Sequence, residues 1–307
     1  MERLKEKTIG VLMGGLSRER EVSLSTGKAV VEAIKRKGLN AVSIDVDLNI
    51  ADRLQKNKID LAFIALHGTY GEDGAIQGLL ECLRIPYTGS GILGSALAYD
   101  KLKSKEFFKL HGIPTADYEV FYKDQRSSQK RMMELPVVVK PPNQGSSIGI
   151  SIVRAENEWE KALDLAFSFS DEVLAEQYIQ GKLLAVGMIG EKPLPIVEIR
   201  PKSGFYDYEA KYTAGLTEYI CPAELDMEEI ELCEETAIKV YRTLKGRGVP
   251  RVDMILDNQG ISRVLEMNTI PGMTATSLLP MATKQSGIGF DDLVIEILIQ
   301  AQLDNQG

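Results

Sequence analysis

Two hydrophobic periods alternate along residues 1–90 of the chain. Residues 8–15 form a short apolar run ending in two glycines, and apolar residues at helical spacing follow between Val22 and Ile34. Two more apolar runs, residues 41–47 and 60–68, have the length of strands. The last is apolar nearly throughout, which is typical of a parallel strand covered on both faces. The pattern predicts an α/β layer arrangement, bounded by the turn-rich segment 86–91.

The patterns beyond this boundary indicate two further units. A lysine-rich helix, DKLKSKEFFKLHG, precedes a strand, a Gly/Ser-rich loop and a second strand in LPVVVKPPNQGSSIGISIV. Trp159, Leu163 and Phe167 recur at four-residue steps and predict an amphipathic helix. A strand then ends near the next boundary, and the remaining residues mix strands with two helices. Since 307 residues exceed what one core usually serves, we expect domains at 1–90, 91–181 and 182–307.

Residues 251–268, RVDMILDNQGISRVLEMN, predict a β-hairpin. Apolar-rich runs flank the turn residues DNQG on both sides. A two-residue loop at Asn258 and Gln259 sets the predicted register. The opposed residues would then be Ile255 and Ser262, Asp253 and Val264, and Arg251 and Glu266.

Side-chain alternation separates a polar from an apolar face of this hairpin. The polar face would hold Arg251, Asp253, Glu266 and Asn268. The apolar face would hold Val252, Met254, Leu256, Leu265 and Met267. Carboxylate and amide oxygens at such spacing suit a hard cation such as Mg²⁺ beside phosphates. A solvated face with an Arg–Glu cross-strand pair would have the same pattern.

The composition narrows the class of protein. The chain is 44% hydrophobic and 26% charged with a net charge of −8, which disfavours bulk binding to nucleic acid or to an anionic membrane. No apolar run is long enough to span a bilayer, and the N-terminus lacks a signal-peptide pattern. The three cysteines form neither a metal motif nor a disulfide framework, so a reducing cytoplasm is expected.

The Gly/Ser-rich loop after Lys140 is a candidate phosphate site. Its glycines let backbone N–H groups approach an anion, its serine hydroxyls add donors, and Lys140 adds a positive charge. No GK[ST] follows at the required spacing, so this is not a Walker loop. An ordinary hairpin turn would have the same composition.

The turn after the first strand carries a different signal. The segment MGGLSRERE has adjacent glycines instead of G-x-G-x-x-G, which disfavours NAD binding. Glu19 at this turn could hold a substrate ammonium, although Ser17 and the acidic residues here would equally suit a helix N-terminus. His67 ends a buried strand, where α/β sheets bind ligands, and a structural histidine is the alternative.

Two later segments complete the candidate chemistry. Residues 204–215 are dense in tyrosine and charge and predict a lid in which Lys211 and Tyr212 close over phosphates, unless they form a solvated loop. Gly272 and the Thr/Ser run after it could supply backbone donors to an oxyanion. Taken together, these features fit an ATP-dependent ligase that phosphorylates a carboxylate and lets an amine displace the phosphate.

The chain resembles the D-alanine–D-alanine ligases of the ATP-grasp superfamily over essentially its whole length. Seven segments in order carry the resemblance: GGLSREREVSLSTG, ALHGTYGEDGAIQGLLE, PYTGSG with DKLKSK, VVVKPPNQGSSIGIS, FYDYEAKY, GVPRVDMILD and EMNTIPGMTATSLLP. It implies a three-domain α/β and α+β fold that begins with a Rossmann-like parallel sheet. It also implies ligation of two D-alanines through D-alanyl phosphate for peptidoglycan precursors, by a cytoplasmic homodimer that uses ATP and two Mg²⁺ ions, with Mn²⁺ as a substitute.

The resemblance implies a role for each candidate site residue. The nucleotide would meet Lys101, Lys140, Ser147 and Lys211 near its phosphates and Glu176, Tyr178 and Ile179 at its adenine. The metal ligands would be Asp253, Glu266 and Asn268. The remaining groups would be Glu19 and His67 at the first D-alanine, Ser277 and Leu278 at the second, Arg251 and Gly272 at the tetrahedral intermediate, and Ser146 and Tyr212 linking Glu19 to the lid.

One position departs from the family pattern. Leu183 stands where the family usually has an acidic residue that holds the ribose hydroxyls, which predicts weaker ATP binding. Two alternatives therefore remain, a non-catalytic nucleotide-binding relative and a ligase with another second substrate such as D-lactate. Arg251, Lys211 and the metal set argue against the first, and Tyr212 argues against the second.

Overall fold

The first layer of the fold is a parallel sheet. This computed structural model describes residues 1–202, 204–206, 210–211, 213, 215–274 and 277–304. Strand β1 (Thr8–Gly14) lies between β2 (Asn40–Val46) and β3 (Leu61–Ile64), which are both parallel to it. The helices of this part are α1 (Arg20–Arg36), α2 (Ile50–Lys56), α3 (Ala75–Cys82) and α4 (Ile92–Tyr99). The predicted α/β arrangement is confirmed.

The second layer is an antiparallel sheet with the order β4–β7–β5–β6. Its strands are β4 (Tyr118–Tyr122), β5 (Val137–Lys140), β6 (Ser151–Val153) and β7 (Glu172–Gln177). Helix α5 (Lys101–Leu110) precedes it, and α6 (Trp159–Phe167) lies between β6 and β7. The apolar face of α6 packs on Val139, Val173 and Ala175, as the four-residue spacing predicted. Short 3₁₀ helices occupy Glu2–Leu4, Lys123–Gln125 and Glu156–Glu158.

The third layer is a larger antiparallel sheet with the order β11–β10–β8–β12–β13, with β9 paired to β8. Its strands are β8 (Gly181–Ile189), β9 (Lys192–Pro193), β10 (Val197–Pro201), β11 (Thr217–Ile220), β12 (Arg251–Asp257) and β13 (Ser262–Asn268). Helix α7 (Met227–Thr243) begins with a capping box of Asp226 and Glu229 and buries Cys233, Ala237 and Val240 against this sheet. Helices α8 (Leu278–Gln285) and α9 (Phe290–Ile299) follow.

The C-terminal helix packs on the first layer. Leu293 and Val294 of α9 lie in one apolar cluster with residues of α1 and β1. Arg36 pairs with Asp291 at 2.7 Å at the edge of this contact. The two ends of the chain are therefore joined by a shared core.

The helices and strands between the two ends of the chain contribute to two further apolar clusters. The central sheet has its own apolar cluster, which runs from Phe121 to Ala175. Phe108 of α5 packs instead with Met254 and other residues of the third sheet. The three sheets lie within residues 8–64, 118–177 and 181–268, and the domain limits proposed from the sequence stay a prediction. Among the described residues, no helix has the length and apolar composition needed to cross a bilayer.

The β12–β13 hairpin forms, but its predicted register is wrong. The loop holds three residues instead of two, since Asp257 N–H donates to Ile261 O at 3.0 Å and Gly260 takes a positive φ of 75°. A second shift follows between Asp253 and Met254. The observed pairs are Ile255 with Arg263, Asp253 with Glu266, and Arg251 with Asn268.

These two shifts cancel in their effect on the polar face. Each one-residue shift moves the side chains of β13 to the opposite face relative to β12. Two shifts therefore return them to the face that the sequence predicts. Asp253 and Glu266 are now directly opposite one another on one face. Leu265, predicted in the core, is instead the extra residue of the bulge, and it is half-buried at the wall of a cavity. Val264 takes the core position and is fully buried.

Candidate active site

Two adjoining cavities lie where the three sheets approach one another. The first cavity has a volume of about 460 Å³ and opens at the carboxyl end of the parallel sheet. The second cavity has a volume of about 560 Å³ and lies between the central and third sheets. Lys101, Gln144, Ser146, Lys211 and Glu266 line both cavities. A group bound in one would therefore lie beside a group bound in the other.

The first cavity brings together most of the predicted substrate groups. The predicted residues that line it include Glu19, His67, Ser146, Arg251, Asn268, Gly272, Ser277 and Leu278. They come from the first layer, the central loop and the third sheet, so the fold assembles segments that are far apart in sequence. Tyr212, predicted to belong here, lies outside the described residues.

Glu19 connects the first layer to the glycine–serine loop. Ser146 Oγ donates a hydrogen bond to its Oε1, and a Cβ on Gly145 would lie 2.7 Å from its Oε2. The loop backbone therefore approaches the carboxylate as closely as glycine allows. Glu19 precedes α1 without a side-chain capping bond, whereas Ser17 Oγ accepts from Glu19 N–H at 3.2 Å. Ser17 therefore stabilises the turn before α1, and the Glu19 carboxylate is not used for capping and lines the cavity.

His67 is buried at the floor of the first cavity. Its Nε2 lies 3.3 Å from Thr26 Oγ1. Burial and the nearby charge of Arg251 lower the pKa of His67 to about 4. The imidazole is therefore neutral at neutral pH and acts as a hydrogen-bonding group.

Glu72 is a cavity residue that the sequence reasoning missed. Its Oε2 accepts a hydrogen bond from Gly68 N–H at 2.7 Å. Removal from bulk water, and then the charge of Glu19, raise the pKa of Glu72 to about 8. The residue stands in the GEDG segment next to His67, and that position was the only sequence signal for it.

Each carboxylate of the hairpin face is paired with a cation of the chain. Arg251 holds Asp253 with two bonds, Nε to Oδ1 at 2.6 Å and Nη2 to Oδ2 at 2.7 Å. Lys101 Nζ lies 2.9 Å from Glu266 Oε2. Burial opposes ionisation of Glu266, but the charges of Lys101 and Lys211 outweigh it and lower the pKa of this carboxyl to about 2. The face is thus neither solvated nor joined by the Arg–Glu pair considered above.

The donor set of this face fits a hard cation. Asp253, Glu266 and Asn268 offer carboxylate and amide oxygens, which Mg²⁺ prefers. The described residues contain no group of three His, Cys, Asp or Glu side chains suited to a metal. At this face two carboxylates are accompanied by an amide oxygen. Asn268 Oδ1 also accepts from Ile270 N–H at 3.0 Å, which orients the amide.

The second cavity contains the groups predicted for a nucleotide. The predicted residues that line it are Lys101, Lys140, Ser147, Glu176, Tyr178, Ile179 and Lys211. Lys140 Nζ lies 2.8 Å from Glu176 Oε2, and both side chains are nearly fully buried. Ser147 Oγ donates to Tyr206 O at 3.1 Å and so ties the central loop to the described part of the predicted lid.

Leu183 lines the second cavity on the third sheet. Its partners in the ladders are Ile255 of β12 and Ile199 of β10. Directly opposed residues of a sheet share a face. The residues directly opposite Leu183 are therefore both isoleucine, and the carboxylates of these strands that line the cavity, Glu198 and Asp253, stand at other positions.

The start of α8 closes the first cavity. Ser277 precedes the helix, and its Oγ accepts from Thr274 N–H at 3.0 Å. A Cβ added to Gly272 would lie 3.0 Å from the same Oγ, so the two segments are in close contact. Peptide N–H groups at a helix start favour negative charge, which suits an anionic group beside Ser277 and Leu278.

A glycine–serine loop, three lysines of which two are buried, and a face of carboxylate and amide oxygens between two antiparallel sheets are the arrangement expected of an ATP-grasp ligase. Family profiles and solved structures agree with this class. The profile described as D-ala D-ala ligase N-terminus matches residues 48–90, and the one described as D-ala D-ala ligase C-terminus matches residues 107–300. The chain belongs to the D-alanine–D-alanine ligase family.

Individual relatives resemble the chain over nearly its full length. The D-alanine–D-alanine ligase of Geotalea uraniireducens is 49% identical and covers 99% of this chain and 98% of its own. A crystal structure of the D-alanine–D-alanine ligase from Bacillus anthracis is similar with a TM-score of 0.86 and 36% identity, over 96% of this chain and 97% of that one. The structure of that enzyme complexed with ATP has a TM-score of 0.83 and 34% identity, with the same coverage.

Proposed function

We propose that the chain joins two D-alanines to D-alanyl-D-alanine with the conversion of ATP to ADP and phosphate. The observation that carries this proposal is the junction of the two cavities at Lys101, Lys211 and Glu266. A nucleotide in the second cavity would point its phosphates at this junction, and an amino acid in the first cavity would meet them there. Membership of the family supplies the substrates of the proposal.

The lysines of the junction would receive the phosphates. Lys101, Lys140 and Lys211 are buried or half-buried, and burial strengthens their interaction with an anion. Mg²⁺, as two ions with Mn²⁺ as a substitute, would be held by Asp253, Glu266 and Asn268 and would neutralise the charge that moves with the γ-phosphoryl group. Lys101 and Arg251 would then release the carboxylates that they hold in this structure.

The first D-alanine would be held at both ends. Its ammonium would pair with Glu19, and its carboxylate would attack the γ-phosphorus while ADP leaves. The amine of the second D-alanine would then attack the acyl carbonyl. Arg251 and the backbone at Gly272 would stabilise the tetrahedral alkoxide before phosphate leaves. His67, neutral and buried, would orient the first amino acid by hydrogen bonding.

The second D-alanine would lie against the start of α8. Ser277 would donate to its carboxylate, and Leu278 would contact its methyl group. The contacts Ser146–Glu19 and Ser147–Tyr206 close the loop over the cavity, which would keep water from the acyl phosphate. The Tyr212 argument against a D-lactate substrate stays a prediction, because that residue lies outside the described part.

The direct test is nucleotide turnover with each candidate substrate. ADP and phosphate are expected to appear with D-alanine but not with L-alanine or without an amino acid, and D-alanyl-D-alanine should be the product. A depsipeptide product with D-alanine plus D-lactate would favour the other second substrate. Nucleotide binding without any turnover would favour the non-catalytic relative.

Leu183→Glu is expected to tighten ATP binding by about one to two decades. A carboxylate that accepts from two ribose hydroxyls makes charge-assisted hydrogen bonds, and leucine accepts none. Discrimination against 2′-deoxy-ATP should increase in parallel. The measurement is titration of both nucleotides into the parent, Leu183→Glu and the shape control Leu183→Met. Equal dissociation constants in all three proteins would place the ribose elsewhere.

Two further properties follow from the same resemblance. We propose a homodimer in the cytoplasm that supplies peptidoglycan precursors, with no nucleic acid or membrane as a partner. Sedimentation of the purified chain tests the dimer, and restored growth of a cell lacking its own ligase tests the precursor role.

A further inference from the structure

Lys105 is a buried lysine that the mechanism above does not use. It lies one helical turn after Lys101 on α5, and its side chain is 0% exposed. Lys101 lines both cavities, whereas Lys105 lines neither and stands behind the wall of the second cavity. An ammonium removed from water needs fixed partners.

Four groups surround the Lys105 ammonium, and one of them is the Tyr118 ring, whose centroid lies 5.3 Å from Nζ. Lys105 Nζ donates to Thr115 Oγ1 at 2.6 Å and to Ala116 O at 3.0 Å, and it lies 3.3 Å from Glu176 Oε1. Thr115 Oγ1 in turn donates to Val264 O at 2.8 Å, so the hydroxyl is oriented to accept from the lysine. Burial lowers the pKa of Lys105 to about 8, which leaves the group charged at neutral pH.

Glu176 therefore lies between two cations, of which Lys140 lines the second cavity and Lys105 does not. Lys140 holds its Oε2 at 2.8 Å and lines the second cavity, where a phosphate would draw the lysine away. Lys105 forms an ion pair with the other oxygen, Oε1, at 3.3 Å, an oxygen that accepts no hydrogen bond within the described part of the chain, and Lys105 lines neither cavity. A phosphate that recruited Lys140 would leave Lys105 as the remaining cation beside Glu176.

We propose that Lys105 is a positioning residue that keeps Glu176 an ionised acceptor in the nucleotide-bound enzyme, and so sets the preference for a 6-amino purine over a 6-oxo purine. This inference rests on the proposed nucleotide site. An ionised carboxylate accepts from the 6-amino group of adenine and repels the 6-oxo group of hypoxanthine or guanine. A buried carboxyl without a cation takes up a proton, and its O–H can then donate to a 6-oxo group.

Lys105→Met tests the proposal through base discrimination. Methionine keeps the length of the side chain and removes its charge. The ratio of kcat/KM for ATP to kcat/KM for ITP should fall about ten- to hundredfold, as expected for a lost hydrogen bond to a charged group. Binding of ATP and ITP, measured by titration without D-alanine, should show the same change in ratio.

Lys109→Met is the matched control. Lys109 follows Lys105 by one turn on α5, is exposed, and places its Nζ 4.1 Å from the centroid of the Tyr118 ring. The same substitution there should leave the ratio unchanged. An unchanged ratio in Lys105→Met, or an equal fall in Lys109→Met, would overturn the proposal.

Thr115→Val provides a second test if Lys105→Met does not fold. It removes the hydroxyl that orients Lys105 and should lower the same ratio in the same direction, whereas Thr115→Ser should not. A parent-like ratio in folded Thr115→Val would also overturn the proposal. Failure of the proposed function looks different, since the parent would then either bind neither nucleotide in the titration or bind ATP without turning it over in the presence of D-alanine.

Discussion

Glu266→Gln is expected to lower kcat by about two to three orders of magnitude while the fold is retained. The side chain keeps its shape but loses the charge that Lys101 now balances at 2.9 Å. The lowered pKa of about 2 means that the parent carboxyl is ionised at every working pH. A cation polarising a phosphoryl oxygen supplies several kcal/mol of transition-state stabilisation, and much of that requires the carboxylate.

The measurement is phosphate release across a range of Mg²⁺ concentrations, with thermal unfolding to confirm the fold. The loss should be largest at low Mg²⁺, because the variant binds the ion more weakly. Glu218→Gln on β11, an exposed acid of the same sheet, is the control and should behave like the parent. A parent-like rate for Glu266→Gln at limiting Mg²⁺ would remove Glu266 from the metal site.

Arg251→Lys is expected to lower kcat by about a hundredfold or more and to leave ATP binding nearly intact. Arg251 makes a two-bond fork to Asp253 in this structure, at 2.6 and 2.7 Å. Lysine keeps the charge but not the planar fork. Loss of one preorganised donor to an oxyanion typically costs two to three orders of magnitude in rate. The effect should therefore fall on the chemical step.

Steady-state kinetics separate this role from nucleotide binding. The KM for ATP should change little in Arg251→Lys, and the rate of a single turnover should fall with kcat. Arg263→Lys is the control, since Arg263 pairs with Asp257 at 2.7 Å near the hairpin loop and lines neither cavity. A change confined to the KM for ATP would place Arg251 at the nucleotide instead.

The hairpin shows how far local pattern predicts this site. Side-chain alternation correctly predicted that Arg251, Asp253, Glu266 and Asn268 share one face. The prediction held because two errors in the predicted register, one at the loop and one at the bulge, cancelled. The loop length depended on Gly260 adopting a positive φ, and the bulge at Leu265 has no local sequence signal. Periodicity therefore predicts faces more reliably than pairs, because any even number of shifts preserves the face.

The family resemblance assigned roles to cavity residues whose roles the hydrophobic and polar pattern did not decide. Glu19 and His67 each had a structural alternative from the residues themselves, and only the family motifs assigned them to one site. Lys105 was read as part of a lysine-rich helix, and the helix spacing does not reveal that its side chain is buried while Lys109 is exposed. That difference is set by Thr115 and Glu176, which lie on other elements.

The joined ends of the chain have a mechanical consequence. Since α9 shares its core with α1 and β1, the first layer and the C-terminal segment should move together as one body. The central sheet has a separate apolar core. The segment before it is hydrogen-bonded to Val264, whose N–H donates to Pro114 O at 2.8 Å and whose carbonyl oxygen accepts from the Thr115 hydroxyl. Those residues would serve as a pivot. A rotation of the central sheet about them would break polar contacts such as Ser146–Glu19 and leave the apolar clusters of the described residues intact. Opening the site for a nucleotide would therefore cost little free energy.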